Sequence, residues 1–283
     1  MAGCRKSSCQ SWRCRMIFTV QGAPLYAYTG GKAFDPQKPT IIFIHGVLND
    51  HSVWILQSRY FANHGWNVLA IDLPGHGRSG GNAPATVQSA AQSVMALLDV
   101  AGVSKAVLMG HSFGSLIALH AAAENPTRVS QLVMVGTAYP MRVSPALLEG
   151  SLNAPEKAIH MVNVFSHSTL APPPSALGPG TWLLGGSKAL MRRVLASNPN
   201  ENVFNIGFKA CDQYDQGEVD MAKVQCPTLF LLGQKDQMTQ PKAAQSLIQL
   251  AHNGQVAYVD AGHQLMVEAP EETLKAMVAF CKN

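Results

Sequence analysis

The residues that most constrain the fold of this chain form the pentad Gly110-His111-Ser112-Phe113-Gly114, which has the pattern G-x-S-x-G. An apolar run, 106–109, comes directly before the pentad, and a run of small and apolar residues, 116–123, follows it. This context predicts a strand, a sharp turn and a helix, with the serine hydroxyl pushed out of the turn. Glycine is expected at both ends because a side chain there would collide with the neighbouring strand and helix. The alternative is a Gly/Ser turn without a function, and the flanking patterns argue against it.

Strand and helix patterns alternate on both sides of this pentad. Short continuous apolar runs separated by helical patterns are typical of a parallel sheet that is buried on both faces. The predicted strands lie at 17–20, 25–29, 40–44, 66–71, 106–109, 131–135, 228–232 and 255–259. The main predicted helices lie at 52–64, 86–101, 116–124, 241–252 and 270–282.

The alternation breaks after Thr137. Residues 138–216 are rich in Pro, Ser, Met and Asn, and a long irregular region inside a regular α/β pattern is usually a functional lid. Pro172-Pro173-Pro174 and Gly178-Pro179-Gly180 prevent regular structure between its helices. The short helices predicted in this region lie at 145–149, 156–165, 188–196 and 202–211. The predicted organisation is a disordered leader (1–15), a core (16–137), a helical cap (138–216) and the rest of the core (217–283).

The serine of the pentad is predicted to belong to a catalytic triad. A serine hydroxyl is a weak nucleophile at neutral pH and needs a base, which in turn needs an orienting acid. Asp236 follows the last strand but one, and His263 follows the last strand, so both should lie at the sheet edge where Ser112 lies. Asp260 is a competing acid, but it is too close in sequence to His263 to reach its far ring nitrogen. An ordinary surface-loop histidine is the alternative for His263.

The negative charge that develops during acyl transfer needs N–H donors. The main-chain N–H of Phe113, directly after the nucleophile, is one expected donor. The second is expected from the loop after the strand at 40–44, where we assign Val47 and keep its neighbour Leu48 as the alternative. The candidate pocket residues are Leu48, Trp54, Met161, Phe165, Trp182 and Tyr214. The pattern leaves open which large cap side chains line a pocket and which pack inside the cap.

Charge and composition exclude several classes of protein. Hydrophobic residues make up 47% of the chain and charged residues 13%, as in a well-buried globular protein. The net charge of +4 arises in residues 1–15, which contain four basic residues and no acid, so we expect no nucleic-acid partner. No apolar run reaches the roughly 18–20 residues of a membrane-spanning helix. The cysteines lack zinc-site spacing, so we expect no metal and a reducing, cytoplasmic setting.

In combination, these motifs resemble the α/β-hydrolase superfamily over residues 16–283. The resemblance is carried by His45-Gly46, Asp72-Leu-Pro-Gly-His-Gly-Arg-Ser79, Gly110 to Gly114, Gly233-Gln-Lys-Asp236 and Gly262-His263. It implies an eight-stranded, mostly parallel sheet flanked by helices, a cap inserted after the sixth strand, and carboxylesterase-like chemistry without a cofactor. Serine at 112, where some relatives have aspartate, argues against haloalkane dehalogenases and epoxide hydrolases.

Three functions remain in competition. The first is hydrolysis of a small-molecule carboxylic ester with a small to medium, largely apolar acyl group through an acyl-enzyme on Ser112. The second is cleavage of a carbon–carbon bond in a diketone-like ring-cleavage product, whose carboxylate would bind basic cap residues. A solvated cap face explains those residues equally well; they are Lys157, Lys188, Arg192 and Arg193. The third is ligand binding with little catalysis. The natural substrate and the oligomeric state are left open by the sequence.

Overall fold

The computed structural model of the chain describes residues 15–35, 37–168 and 182–282. The described residues form one eight-stranded sheet. Its strands are β1 Arg15–Val20, β2 Ala23–Tyr28, β3 Thr40–Ile44, β4 Asn67–Ile71, β5 Ala106–His111, β6 Val129–Val135, β7 Thr228–Gly233 and β8 Gly254–Val259. The predicted leader lies outside the described residues, apart from Arg15, which begins β1.

The strands lie in the order β1-β2-β4-β3-β5-β6-β7-β8. β2 is antiparallel to both of its neighbours, and the strands from β4 to β8 in this order are parallel. The predicted fold class, a mostly parallel eight-stranded sheet flanked by helices, is therefore confirmed. β5 lies in the middle of the parallel part, so the turn at its carboxyl end has a strand on each side of it.

Eleven α-helices lie within the described ranges. They are α1 Ile55–Asn63, α2 Val87–Val100, α3 Phe113–Glu124, α4 Pro145–Asn153, α5 Pro155–Ser166, α6 Leu183–Ser197, α7 Val203–Gln213, α8 Gly217–Lys223, α9 Gln245–Leu250, α10 Leu265–Glu268 and α11 Pro270–Cys281. Short 3-10 turns at His51–Trp54 and Pro241–Ala244 lead into α1 and α9. In the described part of the chain, no helix is both long and apolar enough to cross a membrane.

The two faces of the sheet are covered by different helices because successive strand side chains point to opposite sides. Ile42 and Leu108 belong to a core that includes α2, α3 and α8. Ile41 and Val107 belong to a second core that includes α1 and α11. Burial on both faces explains why most of β3 and β5 consists of continuous apolar runs, 41–44 and 106–109, rather than alternating apolar and polar residues.

Helices α4 to α7 fall inside the predicted cap, 138–216, and overlap the four helices predicted there. They form a third hydrophobic cluster with one another, which also takes in Leu48 from the loop after β3. α6 begins at Leu183, five residues before the predicted start, although it contains Gly185 and Gly186. The proline triplet and the Gly-Pro-Gly sequence of the predicted cap lie outside the described residues. Treating the region as a separate cap remains a prediction.

Candidate active site

Ser112 lies in a sharp turn between β5 and α3, as the pentad predicts. Its φ is 53° and its ψ is −120°, a combination that a residue with a side chain rarely adopts. Two main-chain hydrogen bonds fix this conformation: Ser112 N–H donates to Val135 O at 2.9 Å, and Ser115 N–H donates to Ser112 O at 2.8 Å. The neighbouring strand and the first turn of the helix therefore hold the strained residue in place.

The two glycines of the pentad allow the backbone to approach closely on both sides of Ser112. A Cβ placed on Gly110 would lie 2.0 Å from the Gly114 carbonyl oxygen. A Cβ placed on Gly114 would lie 2.4 Å from Ile44 O and 2.7 Å from His45 O, at the end of β3. All three distances are far below van der Waals contact, and all three oxygens belong to the backbone. Only glycine fits at either position without displacing the turn.

Asp236 and His263 are hydrogen-bonded to each other. His263 Nδ1 lies 2.8 Å from Asp236 Oδ2, and both side chains are buried. The other carboxylate oxygen, Oδ1, accepts hydrogen bonds from the main-chain N–H groups of Met238 and Thr239, each at 2.8 Å. Thr239 Oγ1 lies 2.8 Å from Asp236 Oδ2 and 3.0 Å from His263 Nδ1. Sequence reasoning missed Thr239, for which only the spacing of three residues from Asp236 gave a signal.

The electrostatics around Asp236 keep it ionised. Burial alone raises the pKa of this carboxyl group, but the neighbouring His263 and the donors from Thr239 outweigh burial, so the net pKa lies below the ordinary value. The ionised carboxylate accepts a hydrogen bond from Nδ1–H of His263. The other ring nitrogen, Nε2, then carries no proton and can act as a base.

His111, the residue before Ser112, supports the loop that carries His263. Its Nε2 lies 2.9 Å from the main-chain oxygen of His263, and its ring is buried. Burial and the nearby His263 lower the pKa of His111 to about 3. The ring is therefore neutral at physiological pH, with Nε2–H as the donor.

The loop after β3 forms a tight turn over the start of α3. Asn49 N–H donates to Gly46 O at 3.3 Å, and Leu48, the third residue of this turn, has a φ of 56°. A positive φ at the third position is a requirement of a type II turn. Phe113 is the first residue of α3, so its N–H is one of the helix donors without a partner inside the helix. The segments that contain Val47 and Phe113 are in close contact. A Cβ placed on Gly46 would lie 3.2 Å from Ser112 Cβ.

A cavity of about 300 Å³ opens above Ser112 and His263. Its wall is mainly apolar and includes four methionines and three phenylalanines. The large apolar side chains on it are Met141, Leu147, Met161, Phe165, Met191, Phe204, Phe208 and Met238. The volume is at the lower end of the range of small-molecule sites. Long, unbranched methionine side chains can adapt to ligands of different shape.

Two of the six pocket candidates, Met161 and Phe165, lie on this cavity, and both are on α5. Val47, the donor candidate, also lines it. α7 also contributes two large side chains to the wall, Phe204 and Phe208, for which the sequence left open whether they line a pocket or pack inside the cap. Their spacing of four residues on one helical face was the available signal, but the sequence does not reveal which way that face points.

The other four pocket candidates do not line this cavity in the part of the chain that the structure describes. Trp54 is fully buried behind the sheet edge, where its ring packs on Phe43 and on the edge of His111. Leu48 is buried in the cluster of α4 to α7, because its positive φ turns the chain toward that cluster. Tyr214 is buried and donates its hydroxyl hydrogen bond to Asp220. Trp182, just before α6, has 60% of its surface exposed.

Asp50, His51 and Asp72 come together beside the cavity loop and have ligand atoms close enough for a metal ion. Their oxygens already have protein partners. Asp50 Oδ1 caps the 3-10 turn through Ser52 N–H at 2.9 Å, and Asp50 Oδ2 pairs with Arg193 of α6 at 2.7 Å. Asp72 Oδ1 accepts from the main chain and ring of His51. The cluster therefore ties the loops and α6 together, and the positive charge beside Asp50 is supplied by Arg193.

Three of the four basic residues considered for carboxylate binding, Lys188, Arg192 and Arg193, have other side-chain partners. Arg192 forms a salt bridge with Glu156 at 2.6 Å, and Lys188 Nζ lies 2.8 Å from His160 Nδ1. Neither these residues nor Lys157 nor Arg193 lines the cavity above Ser112. Arg142, which sequence reasoning did not single out, does line it.

A family model described as the alpha/beta hydrolase fold matches residues 39–164. Protein ABHD8 of Bos taurus is 27% identical over 236 residues, which cover 82% of this chain and 53% of the relative, so the chain spans about half of that protein. The sn-1-specific diacylglycerol lipase ABHD11 of Mus musculus is 26% identical over 258 residues, covering 87% of this chain and 82% of the lipase.

Among solved structures, an esterase from Exiguobacterium antarcticum matches with a TM-score of 0.80 at 17% identity, over 94% of this chain and 99% of the esterase. At that identity the likeness establishes the fold alone. The sheet order, the strained serine after β5 and the family match agree with one another. The chain therefore has the α/β-hydrolase fold, and residues 39–164 match the model of that family.

Proposed function

We propose that this chain is a serine hydrolase that cleaves carboxylic esters of small to medium, largely apolar acyl groups through an acyl-enzyme on Ser112. The observation that carries the proposal is that His263, which is hydrogen-bonded to Asp236, and the strained Ser112 both line one apolar cavity. The relative named as an sn-1-specific diacylglycerol lipase acts on esters by its name, and this supports the same bond type.

The reaction starts with proton transfer from the Ser112 hydroxyl to Nε2 of His263 while the Ser112 oxygen attacks the ester carbonyl carbon. The oxyanion that forms on the carbonyl oxygen is stabilised by the main-chain N–H groups of Phe113 and Val47. The imidazolium returns its proton to the alkoxide leaving group, and the alcohol departs. A water molecule then attacks the acyl carbon while His263 takes a proton from it. When the bond to the Ser112 oxygen breaks, His263 returns the proton to that oxygen, and the carboxylic acid departs.

The shape of the cavity supports the proposed substrate class. Its apolar wall favours the acyl chain, and its volume of about 300 Å³ suits small to medium substrates. None of the residues on its wall in the described part of the chain is a Lys, Asp or Glu. A largely apolar acyl group that binds there would therefore remove no carboxylate of the wall from water.

A panel of p-nitrophenyl esters from acetate to laurate tests the proposal. We expect turnover to be highest for short and medium chains and Ser112→Ala to abolish it. Ser104→Ala, at an exposed position before β5, is the matched control and should retain the wild-type rate. Full esterase activity in Ser112→Ala would refute the proposal.

Cleavage of a carbon–carbon bond in a diketone-like substrate is the second candidate, because Arg142 lines the cavity and could hold a substrate carboxylate. Arg142 Nη1 donates to the main-chain oxygen of Asp212 at 2.6 Å, and no carboxylate among the described residues lies within salt-bridge distance of it. A vinylogous diketo acid turned over far faster than every ester of the panel, with a strong loss in Arg142→Gln, would favour this candidate.

A further inference from the structure

The loop that carries His263, residues 260–264, is held from outside the sheet by the end of α5. The main-chain oxygen of Ser166, the last residue of α5, accepts hydrogen bonds from His263 N–H at 2.8 Å and from Gln264 N–H at 3.3 Å. A single carbonyl group of the predicted cap thus contacts the two residues whose main chain sets the direction of the His263 ring.

A second link between the same segments passes through Glu268, the last residue of α10. Its Oε1 accepts from Gly262 N–H at 3.1 Å, directly before His263. Its Oε2 accepts from Ser168 N–H at 2.7 Å and from Ser168 Oγ–H at 2.6 Å. Charged acceptors form the stronger class of hydrogen bonds, so one half-buried carboxylate joins the His263 loop to the residues after α5.

The packing between these segments leaves little room for adjustment. A Cβ on Gly262 would lie 2.7 Å from Ser166 O, 2.7 Å from Ser168 N and 2.8 Å from Glu268 Oε1. The His263 loop, the end of α5 and the Glu268 carboxylate are therefore in direct contact. Movement of one of the three displaces the others.

The helix that ends in this contact also forms part of the cavity wall. Met161, Val162 and Phe165 of α5 line the cavity, and Ser166 follows directly. The side chains that would contact an acyl chain and the carbonyl group that holds His263 are thus on the last two turns of one helix.

We propose that Glu268 is a positioning residue that fixes the His263 loop against the end of α5. The proposal rests on the proposed function, since it assigns His263 as the base. Glu268 itself touches neither the reacting atoms nor the cavity wall in the described residues. Its carboxylate neutralises no positive charge in the site: its three partners are two main-chain N–H groups and one hydroxyl group.

The test is a steady-state comparison of Glu268→Ala, Glu268→Gln and Ser168→Ala on a short and a medium p-nitrophenyl ester. A misplacement of about 1 Å can lower a rate about 100-fold, so we expect kcat of Glu268→Ala to fall about 10- to 100-fold with KM within about threefold of wild type. Glu268→Gln keeps an acceptor oxygen and should recover part of the loss. Ser168→Ala keeps its main-chain N–H and should lose less than Glu268→Ala.

The double variant Glu268→Ala/Ser168→Ala separates this role from two independent losses. Because the Ser168 hydroxyl acts through Glu268, the kcat of the double variant should be no lower than that of Glu268→Ala alone. Glu271→Ala, an exposed acid in the first turn of α11, is the matched control and should behave as wild type. Folded protein is quantified by urea unfolding before each measurement, so that kcat refers to native molecules.

Two results would overturn the proposal: an unchanged kcat in folded Glu268→Ala, or a change in KM alone. If Glu268→Ala does not fold, the kcat and KM of Glu268→Gln are measured instead, and an unchanged kcat in that variant overturns the proposal. Ser112→Ala is measured in the same series, and activity that survives that change marks a failure of the proposed function instead. Loss of activity in Ser112→Ala together with an unchanged Glu268→Ala marks a failure of the positioning role only.

Discussion

Gly114→Ala is the substitution whose consequence follows most directly from the geometry of the turn at Ser112. The new Cβ would lie 2.4 Å from Ile44 O and 2.7 Å from His45 O. These atoms belong to the main chain at the end of β3 and cannot rotate away as a side chain can. The first turn of α3 and the end of β3 must therefore separate by at least about half an ångström.

This separation acts on both proposed oxyanion donors. Phe113 lies next to the substituted residue, and Val47 follows the displaced end of β3 by three residues. Since a 1 Å misplacement can lower a rate about 100-fold, half of that distance predicts a fall in kcat of about tenfold or more. Extra atoms in a close-packed site typically cost about 1–3 kcal/mol of stability, and we expect the free energy of unfolding to fall by that amount.

The assay combines urea unfolding with turnover of a short p-nitrophenyl ester. Gly186→Ala is the matched control because a Cβ there meets nothing within 4 Å and the residue lies in α6. Alanine is the better helix former, so Gly186→Ala should gain about 0.5–1 kcal/mol and keep its kcat. Wild-type stability and kcat in Gly114→Ala would refute the reasoning.

Three further predictions concern Asp236, two buried histidines and the cavity wall. Asp236→Asn should lower kcat about 10⁴-fold, because the amide no longer holds the proton on Nδ1 of His263; a kcat within tenfold of wild type in the ester assay would contradict this. Burial lowers the pKa of His76 to about 4 and that of His111 to about 3, against an ordinary value of 6.5. Below pH 6.5 the unfolded chain takes up protons that the folded chain does not, so stability is complete above pH 6.5 and falls as the pH drops toward 4. At pH 5 each of the two histidines lowers the free energy of unfolding by about 2 kcal/mol relative to pH 7. Equal free energies of unfolding in urea at pH 7 and pH 5 would refute this prediction. Phe208→Ala enlarges the cavity and should cost about 3 kcal/mol or more while shifting the preferred ester to a longer acyl chain; an unchanged order in the ester panel would place Phe208 outside the acyl site.

Local sequence patterns were sufficient to predict the sheet and to place Ser112, Asp236 and His263 after β5, β7 and β8. A parallel sheet brings the carboxyl ends of its strands together, so residues placed directly after β5, β7 and β8 had to lie at one edge. Apolar runs of four to six residues predicted β3, β4 and β5 within two residues of their observed ends. These inferences depend on neighbouring residues and on a topology that has few alternatives.

The cavity wall could not be predicted in the same way, because it depends on how α4 to α7 lie against the sheet. Trp54 and Met161 are both large apolar side chains, but one packs behind Ser112 on His111 and the other faces the cavity. Helical periodicity identifies an apolar face without identifying what that face contacts. α10 has only four residues, too few for any periodic signal, so a role for Glu268 could not be predicted from the sequence.

The central claim is that Ser112 is the nucleophile and His263 its base. The most direct measurement is peptide mapping by mass spectrometry after reaction with a fluorophosphonate, together with the residual rate on a short ester. We predict a single adduct on Ser112, loss of turnover in proportion to labelling, and much slower labelling in His263→Ala. An adduct on another residue that accompanies the loss of turnover, or complete labelling of Ser112 with turnover intact, would contradict the claim.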